Sequence, residues 1–598
     1  MPFPCDVRLD LVKSKIKRLT DFLDVYLKIA NVHTVDFYTS DIWTEFVSVP
    51  PETVISGVLH QQGGSSREEK GSSVWDQSQK INNVAAYLQI TRDHSLPNLG
   101  VCTPLDNLWQ GLGGDKHKET YLKTSLFMNT KKSHEVEVMS EIVACFARYS
   151  NIQQVIDIGS GKGYLSSYLS MQYGLNVYGI DSSTTNTIGA NERNRKLERY
   201  WKIYQRQIKP LNQDSESKQR NENQIHNVKD FTKIKEQNGS IGEPHKLTQS
   251  GYVQSLVQTP VSNTSIDSGI YKKNNVEMSA EIVGSDKFYG SDHTFLELLS
   301  TDALDASSQV RQRKHLDEKE KERRKTASLE AKAKRIKEAN LYSPITQHVT
   351  STTELHDIIS DIKDSMMVGL HTCGDLASNT LRIFVDKPEL KVVCSVGCCY
   401  HLLSEEFELS ENSQECCQGS WGFPVSQYLR STAWHCGRNA RMSACLPFER
   451  VTFGHGQLPS KSLFYRAVLQ VIIKEHFGSG KPSYTVPQTK VKHVGKIYLK
   501  SASFVDYTRK ATEKLGMDSS KMSDSLIQGY YDRYMPRMKE LEAFNLLKVA
   551  LAPCIEGLIL LDRLCYLKEQ ENVEWSALVQ LFDPLKSPRC YAVIGVKK

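Results

Sequence analysis

The spacing of apolar residues near the start of the chain predicts an amphipathic helix. Apolar side chains recur there every three or four residues, at Leu9, Val12, Ile16, Leu19, Leu23, Leu27 and Ala30. This spacing places them on one face of a helix, which we expect to pack against the folded body. Helical sequence continues to about Tyr149, interrupted by a polar Gly/Ser stretch at 61–73 that predicts a loop.

Short apolar runs alternate with helical stretches from Val155 onward. A strand beginning at Val155 leads into glycines, a helix follows, and a second β-rich segment runs from Asn176 to Asp181. Strand, helix and strand in this order predict a βαβ unit with parallel strands. A polar helix from Ala190 to about Tyr204 comes next.

Further strands and helices are predicted after an interruption of the pattern. Strands are expected at 345–349, 367–371 and 391–397, with helices around 354–362 and after Asp375. This alternation continues a parallel sheet. Near the end, an apolar helix (544–567) precedes two β-rich runs, 575–582 and 590–596, whose short separation predicts an antiparallel hairpin.

The interruption, 205–343, predicts a disordered insertion. Ser, Asn, Gln, Thr and Lys dominate it, and it has too few apolar residues to offset the entropy cost of ordering. Its end, from Arg311 to Glu338, carries 12 basic and 6 acidic residues and favours a solvated helix. The basic run 319–325 is either a charged spacer or a segment for nuclear import or RNA contact.

Composition and charge support this division of the chain. Hydrophobic residues make up 39% of the 598 positions, a low share that an insertion would explain. The net charge of +6 equals that of 311–338 alone, so the remaining chain is near neutral and its charge does not indicate nucleic-acid binding. The 14 cysteines, without a signal-like start or an apolar run of about 18 residues, predict reduced thiols in an intracellular protein outside membranes.

The segment Val155–Leu165 carries the strongest candidate binding site. Asp157 lies in the strand, and Gly159, Gly161 and Gly163 follow it with the pattern G-x-G-x-G, which fits neither the dinucleotide motif nor the P-loop. The pattern, with Ser160 inside it, resembles the cofactor loop of Rossmann-like S-adenosylmethionine-dependent methyltransferases. Asp181 ends the next strand, where its carboxylate could accept the ribose hydroxyl protons of a cofactor.

Titratable residues follow the two later strands that should end at the same edge of the sheet. His371 and Cys373 end one strand, and Cys398, Cys399 and His401 follow the other. Either histidine could act as a general base. A cysteine thiolate adding to a pyrimidine ring is an alternative.

Zinc binding is a further alternative for the cysteine-rich part of the chain. Its candidate ligands are Cys398, Cys399, His401, Cys416, Cys417, His435 and Cys436. Adjacent cysteine pairs are not a clean C-x-x-C pattern, so the sequence assigns no metal.

The stretch Lys131–Glu135 is expected to open the helix that leads into the first strand of the sheet. Ser133 followed by acidic and apolar residues suits a helix start. Lys132 and His134 would then lie near the cofactor crevice, where contact with the methionine carboxylate of the cofactor is expected.

Six segments together carry a family resemblance: Lys131–Val136, Asp157–Tyr164, His371–Leu376, Cys398–Leu402, Leu558–Arg563 and Leu581–Pro584. In this order they resemble a family of S-adenosylmethionine-dependent methyltransferases related to proteins labelled ribosomal RNA adenine dimethylase domain-containing. The His-x-Cys-Gly and Cys-Cys-x-His pair also resembles tRNA 2'-O-methyltransferases, which favours RNA as the substrate. The segment His371–Gly374 lacks the Asn/Asp-Pro-Pro-Tyr/Phe element with which adenine amino methylases hold their target nitrogen.

The resemblance implies an α/β fold, a Rossmann-like seven-stranded class I methyltransferase sheet with a C-terminal antiparallel hairpin. The expected parts are a helical N-terminal region (1–130), two methyltransferase segments (131–204 and 344–401) around the insertion (205–343), a helical inserted subdomain (402–543), and a last helix with the hairpin (544–598).

The expected activity is methyl transfer from S-adenosyl-L-methionine to RNA, at a 2'-O or a base atom, in the cytoplasm, the nucleus or both. A protein partner could bind the insertion or the helical subdomain. The alternatives are a catalytically inactive methyltransferase fold serving as an RNA- or protein-binding platform, and a protein methyltransferase.

Overall fold

The described part of the chain excludes most of the insertion. The computed structural model describes residues 3, 6–59, 73–113, 124, 127–213, 341–407, 420–453, 458, 460–478 and 494–598. Residues 1–201 and 304–598 form one compact unit, and residues 202–303 form a second, of which only 202–213 are described. The predicted disorder of 205–343 and the charged helix at 311–338 lie almost wholly outside the described residues.

The described strands are β1 Cys102–Thr103, β2 Gln154–Ile158, β3 Asn176–Asp181, β4 Tyr342–Thr346, β5 Ser365–Cys373, β6 Leu390–Cys398, β7 Val573–Gln580 and β8 Tyr591–Lys597. The described helices in the first half of the chain are α1 Leu9–Asn31, α2 Ile42–Phe46, α3 Pro51–Leu59, α4 Val84–Asp93, α5 Leu105–Gly111, α6 Thr130–Tyr149, α7 Tyr164–Tyr173 and α8 Thr184–Gln213. The later helices are α9 Asp375–Asp386, α10 Gln427–Ser431, α11 Arg438–Ser443, α12 Phe448–Thr452, α13 Ser460–Phe477, α14 Phe504–Leu515, α15 Asp524–Tyr534 and α16 Met538–Lys568.

The strands form one mixed sheet in the order β1-β7-β8-β6-β5-β2-β3-β4. Strands β2 to β6 run parallel to one another, while β8 is antiparallel to both β6 and β7. The order reverses between β2 and β5, and ligands of α/β sheets bind beyond the carboxyl ends of strands at such a switch point. The predicted α/β class, Rossmann-like sheet and C-terminal hairpin are confirmed.

Two predictions about the edges of the sheet need correction. The described sheet has eight strands because Cys102–Thr103 pairs in parallel with β7, and two residues are too few to show a strand pattern. The strand predicted at 345–349 is instead β4, shifted toward the N-terminus; its Pro344 is tolerated because β4 is an edge strand.

The helix predicted at 354–362 is absent from this described segment, which forms turns. Leu355 and Ile359 are nevertheless buried, as the apolar spacing of the segment predicts. The Asp, Ser and β-branched residues of 354–362 favour non-helical backbone, which explains the difference.

Helix α1 confirms the predicted amphipathic helix. Its buried residues include Val12, Ile16, Leu19 and Leu23, and the helix packs against α16. Helix α16 is buried along most of its length, which makes it the central helix of the core. The apolar spacing of α1 is therefore satisfied by the apolar surface of α16.

One described helical stretch, Asp524–Lys568, is long and apolar enough to cross a membrane by length and composition. Its most apolar window has a mean hydropathy of 1.8, and 94% of that window is buried inside the protein. A core helix passes the same test, and the contacts of α16 with α1, α3 and β7 are those of a core helix.

Candidate functional site

The loop between β2 and α7 turns through three glycines with left-handed backbones. Their φ angles are 71° at Gly159, 55° at Gly161 and 70° at Gly163, values that other L-residues rarely adopt. A Cβ on Gly161 would meet nothing within 4 Å. The loop therefore presents open space at Gly161, where a ligand can approach the backbone.

Asp181, at the end of β3, binds the glycine loop directly. Its Oδ2 accepts a hydrogen bond from Gly161 N–H (2.9 Å), and its Oδ1 accepts from Ser183 N–H (2.9 Å) and the Asn186 amide (3.0 Å). A carboxylate has about four acceptor positions, so about one is left for a ribose hydroxyl. A second ribose hydroxyl would have to compete with one of these donors.

Asp157 and Ser160 lie beneath the loop and away from its open side. Asp157 is buried and accepts a hydrogen bond from Ser166 Oγ (2.5 Å). Burial raises the pKa of Asp157 to about 7, although the bond from Ser166 opposes this shift. Ser160 Oγ is buried beside Gly179, where an added Cβ would lie 3.0 Å from it.

His371 occupies a bulge at the end of β5. The pairing of β5 with β6 shifts between Leu370 and Thr372, and His371 has a φ of 66°. Its Nε2 lies 3.0 Å from Oε1 of Glu135, a buried residue of α6. The imidazole of His371 itself remains 32% exposed. The bulge thus turns the ring toward a buried carboxylate and leaves part of it accessible.

Glu135 joins three elements. Besides His371, its Oε1 accepts a hydrogen bond from Ser587 Oγ (2.5 Å) in the turn of the hairpin, and Lys131 Nζ lies at 3.8 Å. Burial alone would raise the pKa of Glu135, but His371, Lys131 and Ser587 together lower it below its ordinary value. The carboxylate is therefore ionised and can hold the ring of His371.

His134 and Lys132 contact different elements. His134 Nε2 accepts a hydrogen bond from the backbone N–H of Asp583 (2.9 Å), and burial lowers the pKa of His134. Lys132 instead reaches Tyr164, the residue after the glycine loop, with its Nζ 4.4 Å from the ring centroid. The guanidinium of Arg193 lies 3.9 Å from the same ring, so two cations flank Tyr164.

These positions refine the predicted start of α6. The helix begins at Thr130 and is capped by Asn129, whose side chain accepts from Lys132 N–H; Ser133 lies in the first turn. The expected contact of Lys132 and His134 with a methionine carboxylate stays a prediction. Lys132 lies next to the glycine loop, whereas the Nε2 of His134 is already bonded to the hairpin turn.

Three thiols meet at the carboxyl ends of β5 and β6. Cys373 Sγ lies 3.0 Å from Cys398 Sγ and 3.5 Å from Cys399 Sγ, and the latter two are 3.7 Å apart. Hydrogen bonds from the two neighbouring thiols lower the pKa of Cys399. Within the described part of the chain, this is the group whose side chains are close enough to share a metal ion.

The other candidate metal ligands are placed differently. Cys416 and Cys417 lie outside the described residues. Cys436 is fully buried, and its backbone N–H bonds to Glu405. His401 has Nδ1 3.7 Å from Cys445 Sγ, and burial lowers the pKa of His401.

Sequence reasoning missed the roles of Glu135, Ser587 and Arg563. Glu135 was visible only as an acidic residue near the start of a helix, and Ser587 only as part of a turn. Arg563 lies in the segment Leu558–Arg563 and is buried, and its Nε and Nη2 have no hydrogen-bond partner among the described residues. An arginine in an otherwise apolar helix was the available signal.

Comparisons with known proteins agree with the methyltransferase-like fold. The sequence profile of a methyltransferase domain matches residues 131–246 and 293–406. A mouse protein named probable methyltransferase-like protein 25 is 46% identical over 611 residues, covering 100% of this chain and 98% of the relative. Its human namesake is 46% identical over 625 residues, covering 100% of this chain and 99% of the relative. No solved structure matches the chain.

Proposed function

Because the chain belongs to the methyltransferase-like protein 25 family, we propose that it transfers methyl groups from S-adenosylmethionine to RNA. The observation that carries the proposal is the open glycine loop at Gly161, bonded through its N–H to Asp181. The acidic residue at the end of the second strand, beside a glycine turn, is the arrangement that holds a nucleoside in Rossmann-like sheets.

The residues present fit the cofactor. Gly161 leaves free the space that a Cβ would fill, and Asp181 keeps about one acceptor position for a ribose hydroxyl. Bound there, S-adenosylmethionine would supply an electrophilic methyl group on its sulfonium. The surrounding protein has to orient the acceptor and remove its proton.

His371 is the residue that we assign to proton removal. Its partly exposed ring is held by the buried carboxylate of Glu135, which stabilises the imidazolium formed when the ring accepts a proton. A hydroxyl acceptor, such as a ribose 2'-OH, needs such a base. His401 is less suited, because burial lowers its pKa and its Nδ1 faces Cys445 Sγ at 3.7 Å.

RNA as the substrate is supported by the side chains around the glycine loop. Lys132 and Arg193 flank the ring of Tyr164, and Lys162 is exposed in the loop itself. Cations beside an aromatic ring suit a single-stranded nucleic acid, whose phosphates and bases use both kinds of contact. We place this activity inside the cell, in the cytoplasm, the nucleus or both.

The first test is calorimetric titration of the purified chain with S-adenosylmethionine, with NAD and ATP as controls. Gly161→Arg should abolish binding because its side chain enters the open space at the loop. Gly174→Arg is a matched control: Gly174 also has a positive φ (69°) and open space, but it ends α7 at the far side from the loop. Binding of NAD, or unchanged affinity in folded Gly161→Arg, would contradict the cofactor assignment.

The second test measures methyl transfer from S-adenosylmethionine with a labelled methyl group. Its substrate is an extract of cells that lack the protein. We expect label that RNase releases and protease does not, and a rate about 10-fold to 100-fold lower in Glu135→Gln. Glu137→Gln, an exposed neighbour on α6, should keep the wild-type rate. Label released by protease indicates a protein methyltransferase, and cofactor binding without any transfer indicates an inactive binding platform.

A further inference from the structure

The backbone at the end of β6 brings two consecutive cysteines to one side. Successive side chains of a strand point to opposite faces, so Cys398 and Cys399 would separate if β6 continued. The strand ends at Cys398, and Cys399 has a left-handed φ of 49°. Its thiol therefore turns back to within 3.7 Å of the Cys398 thiol.

The third thiol comes from the neighbouring strand. Cys373 ends β5 and lies directly opposite Cys398 in the parallel pairing of the two strands. Side chains at paired positions lie on the same face of the sheet, which explains the distance of 3.0 Å between the two sulfur atoms. Cys373 is exposed, so the group is accessible from solvent.

The sulfur separations are close to those around a tetrahedral zinc ion. Zn–S bonds of about 2.3 Å at tetrahedral angles place the sulfur atoms about 3.8 Å apart. Two of the three separations, 3.5 Å and 3.7 Å, are already near this value. The Cys373–Cys398 pair, at 3.0 Å, has to open by about 0.8 Å, which a rotation of the exposed Cys373 side chain can supply.

The charge of such a site has a counterpart in the core. Zinc with three thiolates carries one net negative charge, which is unfavourable near a protein interior without a compensating cation. Arg563 of α16 lies against Gly397, on the other side of β6, where any Cβ would collide with its guanidinium. Burial lowers the pKa of Arg563, which a negative charge on Tyr400, Asp562 or Cys398 would oppose, and its Nε and Nη2 have no hydrogen-bond partner among the described residues.

We propose that Cys373, Cys398 and Cys399 bind one zinc ion, with the three thiol protons released to solvent. Thiolate ligands favour zinc over harder cations such as magnesium and calcium. The fourth position falls to water or to the imidazole of His401, two positions after Cys399, since His371 is held by Glu135. The site stands at the sheet edge beside the proposed base, and it is independent of the cofactor assignment.

The test is the zinc content of the full chain, purified under reducing conditions from cells grown with added zinc. We expect about one zinc per chain in the wild type, and at least a roughly ten-fold lower content in Cys399→Ser and Cys373→Ser. Cys102→Ser is the matched control, because this partly buried thiol lies in β1, with β7 and β8 between it and β6. Cobalt substitution should give a thiolate-to-metal charge-transfer band in the wild type and the control that Cys399→Ser lacks.

Folded wild-type protein that contains no zinc and gives no cobalt thiolate band would overturn the proposal. A Cys373–Cys398 disulfide in freshly purified, metal-free protein would do the same. Both measurements use the wild type, so they decide the matter even if a serine variant fails to fold. Binding of S-adenosylmethionine is measured separately, so a zinc-free protein that binds it would leave the proposed function standing.

Discussion

Asp157 holds its carboxyl group in the interior beneath the glycine loop, where a negative charge is unfavourable. Its side chain accepts a hydrogen bond from Ser166 Oγ, and the negative charge of Asp181 adds to the effect of burial. Burial and Asp181 outweigh the hydrogen bond and raise the pKa of Asp157 from 3.8 to about 7. The glycine loop is thus built over a group that prefers to be neutral in the folded chain.

Asp157 should therefore make stability depend on pH. Its folded pKa lies above its unfolded value, so the folded chain binds the additional proton, and stability falls as pH rises from about 4 to about 7 and is level above that. Asp157→Asn removes this dependence. The free energy of unfolding of the variant, relative to that of the wild type, should increase by on the order of 3 kcal/mol from pH 5 to pH 8.

Urea unfolding at several pH values measures this difference. Asp361→Asn, at an exposed position before β5, serves as a control that should follow the wild type. A constant difference between Asp157→Asn and the wild type across this range would show that Asp157 is ionised at low pH and that burial does not govern it.

Some residues of the site can be recognised from the sequence around them, and others cannot. Gly159, Gly161, Gly163 and Asp181 can be recognised because a strand, a glycine turn and the next strand are close in the chain. Glu135 cannot, because its partner His371 lies more than 200 positions away and nothing near Glu135 marks it as buried. A carboxylate near the N-terminus of a helix ordinarily complements the helix dipole in solvent.

At the scale of elements, the N-terminal part of α6 is bonded to the turn between β7 and β8. Two contacts make this junction: Ser587 Oγ donates to Glu135, and the N–H of Asp583 donates to His134. The hairpin thereby sets the position of the carboxylate that faces His371. This gives the C-terminal hairpin a part in the site, besides its part in the sheet.

Ser587→Ala should loosen this junction. A hydrogen bond to a charged, buried group contributes about 1.5–3 kcal/mol, so we expect a loss of about 2 kcal/mol in the free energy of unfolding. Ser431→Ala is the control: its exposed hydroxyl bonds only to a backbone carbonyl of its own helix, and we expect a change within about 0.5 kcal/mol. Equal denaturation midpoints for Ser587→Ala and the wild type would mean that the hairpin turn does not stabilise α6.

At the scale of the whole molecule, the described contacts of the site come from the chain on both sides of the insertion. Strand β4 begins at Tyr342, within the last two positions of the predicted insertion, and Tyr342 packs beneath Gly163, where a Cβ would collide with the tyrosine ring. The matched methyltransferase profile is likewise interrupted, at 247–292. The chain thus completes one sheet from segments that the insertion separates.

Residues 247–292 should therefore be dispensable for the cofactor site. Replacing them with a short Gly/Ser linker changes the entropy of loop closure by less than about 1 kcal/mol, since this entropy depends on the logarithm of loop length. We expect calorimetric affinity for S-adenosylmethionine equal to that of the full chain. A folded variant that has lost this affinity would show that the deleted segment contributes to the site.

Features that depend on neighbours along the chain can be obtained from the sequence alone. The period of apolar residues specifies α1, the alternation of strands and helices specifies the parallel sheet, and the glycine spacing with Asp181 marks the ligand loop. The limits of this information appear at 354–362, where correct apolar spacing predicts a helix and the chain forms turns.

Which distant residues share a site is settled by tertiary contacts. Glu135 and Ser587 are 452 positions apart, and the thiols of Cys373 and Cys398 are 25 apart, on different strands. The left-handed backbones of His371 and Cys399, which aim the two side chains, arise where strands end against neighbouring elements. Such contacts depend on strand register and on helix packing, which no local period of the sequence encodes.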